Sequence, residues 1–207
     1  MGLIINPRGM AGAGKTELVR RILMQYGWRQ DPHAPTSDAS EPIFGLKQDR
    51  LFGFRLPHPF GERPLAVIGR YDKTSGGCDR IRLADGGILA IVNRASDLAT
   101  AGYDVIIEGL RLSSNVEHSL ELGRQHDLHI LHLQTPVDQC VRNLISRRRT
   151  GRHSSSELAR AAALEQHSIE TACDQLRPIA TVEALTFDDA YARTLELLSL
   201  CTRRKAS

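Results

Sequence analysis

Gly9-Met10-Ala11-Gly12-Ala13-Gly14-Lys15-Thr16 decides how the rest of the chain is read. The octapeptide fits G-x-x-x-x-G-K-[ST] at every fixed position. Glycines at that spacing let the backbone turn its N–H groups inward around phosphates. The helix that follows aims the positive end of its dipole at them. Lys15 is placed to reach the β- and γ-phosphates of a nucleoside triphosphate, and the Thr16 hydroxyl to ligate Mg²⁺. Gly9, Gly12, Ala13, Gly14, Lys15, Thr16 and the adjoining Glu17 are therefore the predicted nucleotide-binding residues. The motif requires a strand before it and a helix after it. Leu3-Ile4-Ile5 is a short apolar run suited to a buried parallel strand. Leu18, Val19, Ile22, Leu23 and Tyr26 recur at helical spacing until Gly27 ends the run.

Outward from the loop, residues 27–64 hold six of the nine prolines and four of the five phenylalanines, which excludes a helix. Short strands over 43–47 and 51–56, joined at Gln48-Asp49, are expected there, with another over 65–70. A helical pattern runs from Asp85 through Ile88, Leu89, Val92 and Leu98 to Gly102, and Val105-Ile106-Ile107 reads as a central strand. Ser114-x-x-Glu117 predicts a capping box, 129–133 a strand, and Thr135-Pro136 the start of a helix whose face carries Val137, Cys140, Val141, Leu144 and Ile145. A second box, Ser154-x-x-Glu157, opens a helix to about Leu176; 179–182 is the last strand and 188–200 the closing helix. Strands alternating with helices predict an α/β fold, a three-layer sandwich with a parallel sheet. The predicted organisation is one domain over 1–207, with a β-rich aromatic and basic insertion at 27–64 and an arginine-rich lid at about 146–156.

Hydrophobic residues make up 41% and charged residues 25% of the 207, ordinary values for a globular protein. No run of 18 apolar residues exists, so no membrane partner is expected. The first residues lack a basic n-region and a cleavage site, and Asn6 stands where myristoylation needs Ser or Thr. Cys78, Cys140, Cys173 and Cys201 are scattered, as buried or incidental thiols in a reducing compartment would be. A soluble cytoplasmic protein is the expectation. The net charge of +3 is too small to argue for nucleic acid by itself.

Beyond the loop, three places carry chemistry. Asp104-Val105-Ile106-Ile107-Glu108-Gly109 ends a strand in a carboxylate, and ligands of open parallel sheets sit at that end. Glu108 is therefore the second predicted Mg²⁺ residue, and Asp104 belongs at the opposite edge. Val141–His153 carries Arg142, Arg147, Arg148, Arg149 and Arg152, either as a basic helix end or as arginines that close over a γ-phosphate, with Arg148 and Arg152 favoured. Gly76-Gly77-Cys78-Asp79-Arg80 follows a strand, and a kinase acting on a hydroxyl needs a carboxylate to orient it and accept its proton. Asp79 is the candidate, in competition with Asp49, Asp72 and a purely capping role for Asp79. In the insertion, Trp28, Phe44, Phe52, Phe54 and Phe60 alternate with Lys47, Arg50, Arg55, His58 and Arg63. That mixture either stacks a base and follows phosphates or packs a small sheet.

The strand, Thr135-Pro136, the amphipathic helix and the spaced arginines after it resemble the lid of small P-loop kinases. A GTPase fits worse, because Asn93-Arg94-Ala95-Ser96, the nearest candidate for N-K-x-D, fails. Adenylate-kinase-like phosphotransferases fit the length, the lid and the strand carrying Glu108. Within them, Gly69-Arg70-Tyr71, Gly76-Gly77-Cys78-Asp79 and Asp104–Gly109 resemble the phage-encoded 5-hydroxymethyluracil DNA kinases. The resemblance implies ATP and Mg²⁺ at the phosphate loop, an acceptor pocket near Asp79, host cytoplasm as the setting, and DNA carrying a modified pyrimidine as partner, its target base flipped out. A kinase of a free nucleoside, nucleotide or other metabolite is the alternative, and a non-catalytic nucleotide switch the second. A wide basic groove favours DNA; a tight deep pocket favours a small molecule.

Overall fold

The computed structural model describes residues 1–29, 40–45, 50–71, 76–148 and 155–200. The strands are β1 (Ile4–Arg8), β2 (Glu41–Phe44), β3 (Leu51–Leu56), β4 (Leu65–Ile68), β5 (Asp104–Ile107), β6 (Leu128–Leu133) and β7 (Thr181–Leu185). They form one sheet in the order β2-β3-β4-β5-β1-β6-β7. Every residue of β1, β4, β5 and β6 is buried, which is why β4 and Val105–Ile107 of β5 read as continuous apolar runs, while β1 and β6 also bury polar side chains. These four and β7 run parallel, while β2 and β3 pair antiparallel at the edge beside β4. The insertion thus extends the main sheet instead of building a sheet of its own.

Helices α1 (Lys15–Gln25), α2 (Gly87–Thr100), α3 (Leu110–Ser113), α4 (Glu117–Gln125), α5 (Val137–Arg148), α6 (Ser155–Leu176) and α7 (Phe187–Leu197) complete the order. Successive strand residues point to opposite faces. Ile4, Ala66, Val105 and Ile130 pack in one cluster with Ile91 and Ala95 of α2, Leu122 of α4 and Ile169 of α6. Ile5, Val67, Ile106 and Leu131 pack in the other with Val19, Ile22 and Leu23 of α1 and with α7. The result is the three-layer sandwich. Each valine, leucine or isoleucine among them stabilises by roughly 1.5–3 kcal/mol when fully buried.

Several elements differ from expectation for identifiable reasons. β1 runs past Ile5 although Pro7 has no N–H to offer; the Ile107 carbonyl accepts from the Asn6 side-chain amide at 2.8 Å. Asn115, not Ser114, supplies the side-chain oxygen at the start of α4, accepting from the His118 N–H at 3.1 Å. α3 is a four-residue helix that no periodicity announces. β7 begins two residues later than expected because the chain first turns through Arg177–Ala180. Trp28, Phe52 and Phe54 are core residues, whereas Phe44 and Phe60 are exposed. The predicted turn at Gln48-Asp49 and the cap at Ser154 lie outside the described residues. Cys78, Cys140 and Cys173 are buried free thiols. Among the described residues no helix is long and apolar enough to cross a membrane.

Arg8, fully buried at the end of β1, fixes the strand's position against the loop after α3. Its guanidinium donates to Asn6 Oδ1 (2.8 Å), the Ser113 carbonyl (3.1 Å), the Asn115 carbonyl (3.0 Å) and Ser119 Oγ (2.6 Å). Burial lowers its pKa to about 10, so it stays charged at neutral pH.

At the sheet edge, a Cβ on Gly53 would overlap the Val67 carbonyl oxygen and press on Ile68 Cα at 3.1 Å. Gly53 therefore lets β3 approach β4. Gly53→Ala is expected to destabilise the protein by about 1–3 kcal/mol, since backbone rather than a flexible side chain must shift. Thermal unfolding checks this; an unchanged melting temperature contradicts the close approach.

Candidate active site

The phosphate loop lies where β1 gives way to α1, at the carboxyl end of the parallel strands. Gly12 and Gly14 have φ of 85° and 99°, a left-handed conformation that glycine adopts without a side-chain penalty. The loop is held from outside by polar ties that are distant in sequence. Thr135 Oγ1 donates to the Ala13 carbonyl (2.9 Å) and Asn143 Nδ2 to the Gly12 carbonyl (2.8 Å). The Glu165 carboxylate accepts from the Ala11 N–H (2.5 Å). One of the loop's own N–H groups thus already holds an anionic oxygen. Thr135, read as a cap residue from the sequence, thus braces the loop.

Lys15 is buried and donates from Nζ to the Gly9 and Met10 carbonyls. Burial lowers its pKa, opposed by the charges of Glu108, Glu165 and Asp79. Glu108 is 1% exposed and accepts from Thr16 Oγ1 at 3.0 Å. Burial raises its pKa, opposed by Lys15 and by the Thr16 hydroxyl. Gly77 explains the crowding here: a Cβ at that position would overlap the Glu108 carboxylate. Thr16 and Glu108 offer two hard oxygen donors side by side, a set suited to Mg²⁺ alongside phosphate oxygens.

Asp79 sits on a 3-10 turn, Cys78–Arg80, with its side chain 39% exposed. Its carboxylate accepts from the N–H groups of Leu110 (2.7 Å) and Arg111 (3.3 Å), and the Arg111 guanidinium stands 3.7 Å away. The capping role weighed for it is therefore real. It also borders the space in front of the phosphate loop. Ala11, Gly12, Ala13, Gly14, Lys15, Thr16, Asp79, Arg80, Glu108 and Leu144 are among the residues lining one cavity of about 160 Å³. Arg80 belongs as well to a second cavity of about 820 Å³, with Arg50, Arg70, Arg82, Leu83 and Asp85 among its walls.

The structure thus gathers Lys15, Thr16, Asp79 and Glu108 around one cavity with Gly12, Ala13 and Gly14. Gly9 contributes a carbonyl to Lys15 instead of lining it. Glu17 faces away, in a surface ion pair with Arg21 at 3.4 Å. Asp104 lies at the opposite edge, accepting from the Leu3 N–H and from Arg63, both at 3.0 Å. Arg148 ends α5, its side chain outside the described residues, as are Arg152, Asp49 and Asp72 in full. Asn143, Glu165, Arg80 and Arg111 carry no motif, and only proximity to Asp79 could have drawn attention to Arg80.

No protein-family model matches the chain. Two solved shikimate kinases are similar in structure. The one from Acinetobacter baumannii, in complex with shikimate, is 13% identical, with 98% of this chain and 97% of that one covered and a TM-score of 0.45. The one from Bacteroides thetaiotaomicron is 12% identical, with 95% and 98% covered and a TM-score of 0.39. A 5-hmdU DNA kinase of Pseudomonas phage PaMx11 is 32% identical over 147 residues, 70% of this chain and 69% of the relative. With that identity over more than two thirds of both sequences, the chain belongs to the 5-hmdU DNA kinase family and is a kinase.

Proposed function

We propose that this kinase transfers the γ-phosphate of ATP to the hydroxymethyl group of 5-hydroxymethyluracil in DNA. The supporting observation is the second cavity. It is wide, about 820 Å³, and four arginines against one aspartate stand among its walls, immediately beside the phosphate loop through Arg80. A polyanionic acceptor needs such a surface, since arginines neutralise backbone phosphates and displace their counterions. The name of the phage relative points to the same substrate.

Each residue then has a task set by its position. The loop N–H groups and Lys15 hold the triphosphate and neutralise charge that develops on its outer oxygens. Thr16 and Glu108 would hold Mg²⁺, which supplies Lewis-acid stabilisation of the phosphate oxygens. Asp79 orients the acceptor hydroxyl and takes its proton as the oxygen bonds to the γ-phosphorus. The bond from that phosphorus to the β–γ bridging oxygen breaks, and ADP leaves. Arg148 and Arg152, on a lid at about 146–156, complete the neutralisation as the segment closes. Across the single domain, residues 27–64 contribute the cavity wall at Arg50.

Two variants test the assignment. Asp79→Asn keeps an oxygen able to accept from the Leu110 N–H, so the fold should be unchanged while turnover on hydroxymethyluracil DNA falls about 10²–10⁴-fold. Asp79→Ala should lose the same turnover and also about 1 kcal/mol of stability through the missing cap. If Asp79→Asn turns over normally while Asp79→Ala only melts earlier, Asp79 is a cap and nothing more.

Glu108 generates a pH dependence. Its folded pKa lies above the ordinary glutamate value of 4.5, so its contribution to stability is intact below that pH and is lost as pH rises through the folded pKa. Glu108→Gln should therefore melt higher than wild type as pH rises above that value, by about 2–4 °C for each kcal/mol relieved. Its phosphoryl transfer should fall about 100-fold. A Gln variant that melts lower at pH 7, or works normally, contradicts this role.

A further inference from the structure

We propose that Glu165 is a built-in placeholder anion of the phosphate loop, holding the Ala11 N–H until a nucleoside triphosphate displaces it. The inference rests on the reading of Gly9–Thr16 as the nucleotide site and does not depend on the acceptor.

A loop that gathers N–H donors around a buried lysine is poorly balanced without an anion, because unpaired buried donors and charges are costly. The Gly9 N–H donates to Ser113 Oγ (3.4 Å) and the Ala13 N–H to the Met10 carbonyl (3.1 Å), both neutral oxygens. The Ala11 N–H differs. Its acceptor is Glu165 Oε2 at 2.5 Å, reached across 154 positions of sequence. A short bond to an ionised acceptor is among the stronger hydrogen bonds a protein makes. Glu165 also acts on the lysine. Burial lowers the Lys15 pKa, and among the charges that oppose this Glu165 comes after Glu108 and ahead of Asp79. One carboxylate thus serves two groups that the motif assigns to phosphates, a loop N–H and the lysine.

The other ties to the loop are compatible with a bound nucleotide. Thr135 and Asn143 donate to the carbonyls of Ala13 and Gly12, and phosphates need the loop's N–H groups instead. Glu165 is not compatible in the same way. It brings a negative charge against Ala11, which lines the cavity of about 160 Å³ together with Lys15 and Thr16, and like charges this close repel. The side chain is able to leave. Glu165 lies in the middle of α6 and is only half-buried. A hollow of about 220 Å³ bounded by Met10, Thr135 and Gln166 adjoins the contact and gives a displaced carboxylate somewhere to go. Nucleotide affinity is then reduced by the fraction of molecules in which the placeholder is engaged.

A placeholder and a simple brace predict opposite effects on affinity. Wild type, Glu165→Ala and Glu165→Gln are to be titrated calorimetrically with ATP and Mg²⁺ without acceptor, with Lys15→Ala as the blank. Thermal unfolding without nucleotide is to be followed alongside. Glu165→Ala should bind ATP about tenfold tighter than wild type yet melt lower, because it loses competitor and stand-in together. Glu165→Gln keeps an oxygen for the Ala11 N–H but not the charge, so its affinity should lie between the two. It tests the charge even if the alanine variant folds poorly. ATP binding that is unchanged or weaker in the variants overturns the placeholder and leaves the nucleotide site standing, and so does a higher melting temperature of Glu165→Ala. Wild type that binds ATP no better than Lys15→Ala overturns the nucleotide site and the placeholder with it.

Discussion

A carboxylate buried to 1% exposure ends the central strand β5, and the site around it is arranged to make that burial tolerable. An isolated buried charge is costly in a protein interior. Glu108 is offered the Thr16 hydroxyl and the nearby charge of Lys15, yet burial still pushes its pKa upward. Perturbed buried carboxylates of this kind cluster at functional sites. Gly77 gives up its side chain to make room for that carboxylate, and the Cys78 N–H donates to the Glu108 backbone carbonyl at 2.8 Å. The segment carrying Asp79 is thereby fastened beside the phosphate loop. One strand end therefore fixes the Thr16–Glu108 pair and the Asp79 carboxylate relative to each other.

The surrounding scaffold is rigid for reasons that do not depend on a ligand. Arg8 fans across four acceptors directly before Gly9, so the loop begins from a fixed strand end. From the other side, Thr135 and Asn143 hold the loop's carbonyls. They stand just before and within α5, the helix that leads into the arginine-rich segment. A movement of that helix would be felt at Gly12 and Ala13. That is a physical route by which the position of α5 and the shape of the phosphate loop become linked.

What was legible in the sequence follows from the range of the interactions involved. The phosphate loop is a local backbone device, so eight consecutive residues announce it. β4 and Val105–Ile107 of β5 are buried on both faces and appear as apolar runs, and α1 and α2 show their spacing. Glu108 could be placed because a strand's end has a defined position in a parallel sheet. The misses are long-range or short. The contacts of Glu165 and Asn143 with the loop span 154 and 131 positions, with no pattern to reveal them. α3 is too short to show a period, and β1 contains a proline that Asn6 compensates through its side chain. The insertion's aromatics read alike in sequence, yet tertiary packing buries Phe52 and Phe54 and leaves Phe44 and Phe60 exposed. Glu17 follows the motif in sequence but leaves the site, because one further helical position turns it toward Arg21.

The most direct measurement follows radiolabelled γ-phosphate from ATP with Mg²⁺ into duplex DNA containing 5-hydroxymethyluracil. Matched thymine DNA and a pool of free nucleosides and nucleotides run alongside, and Lys15→Ala serves as the blank. Label in the hydroxymethyluracil DNA alone, absent with Lys15→Ala, is the predicted result. Label confined to the small-molecule pool contradicts a DNA acceptor and would reassign the arginine-lined cavity to a free nucleotide.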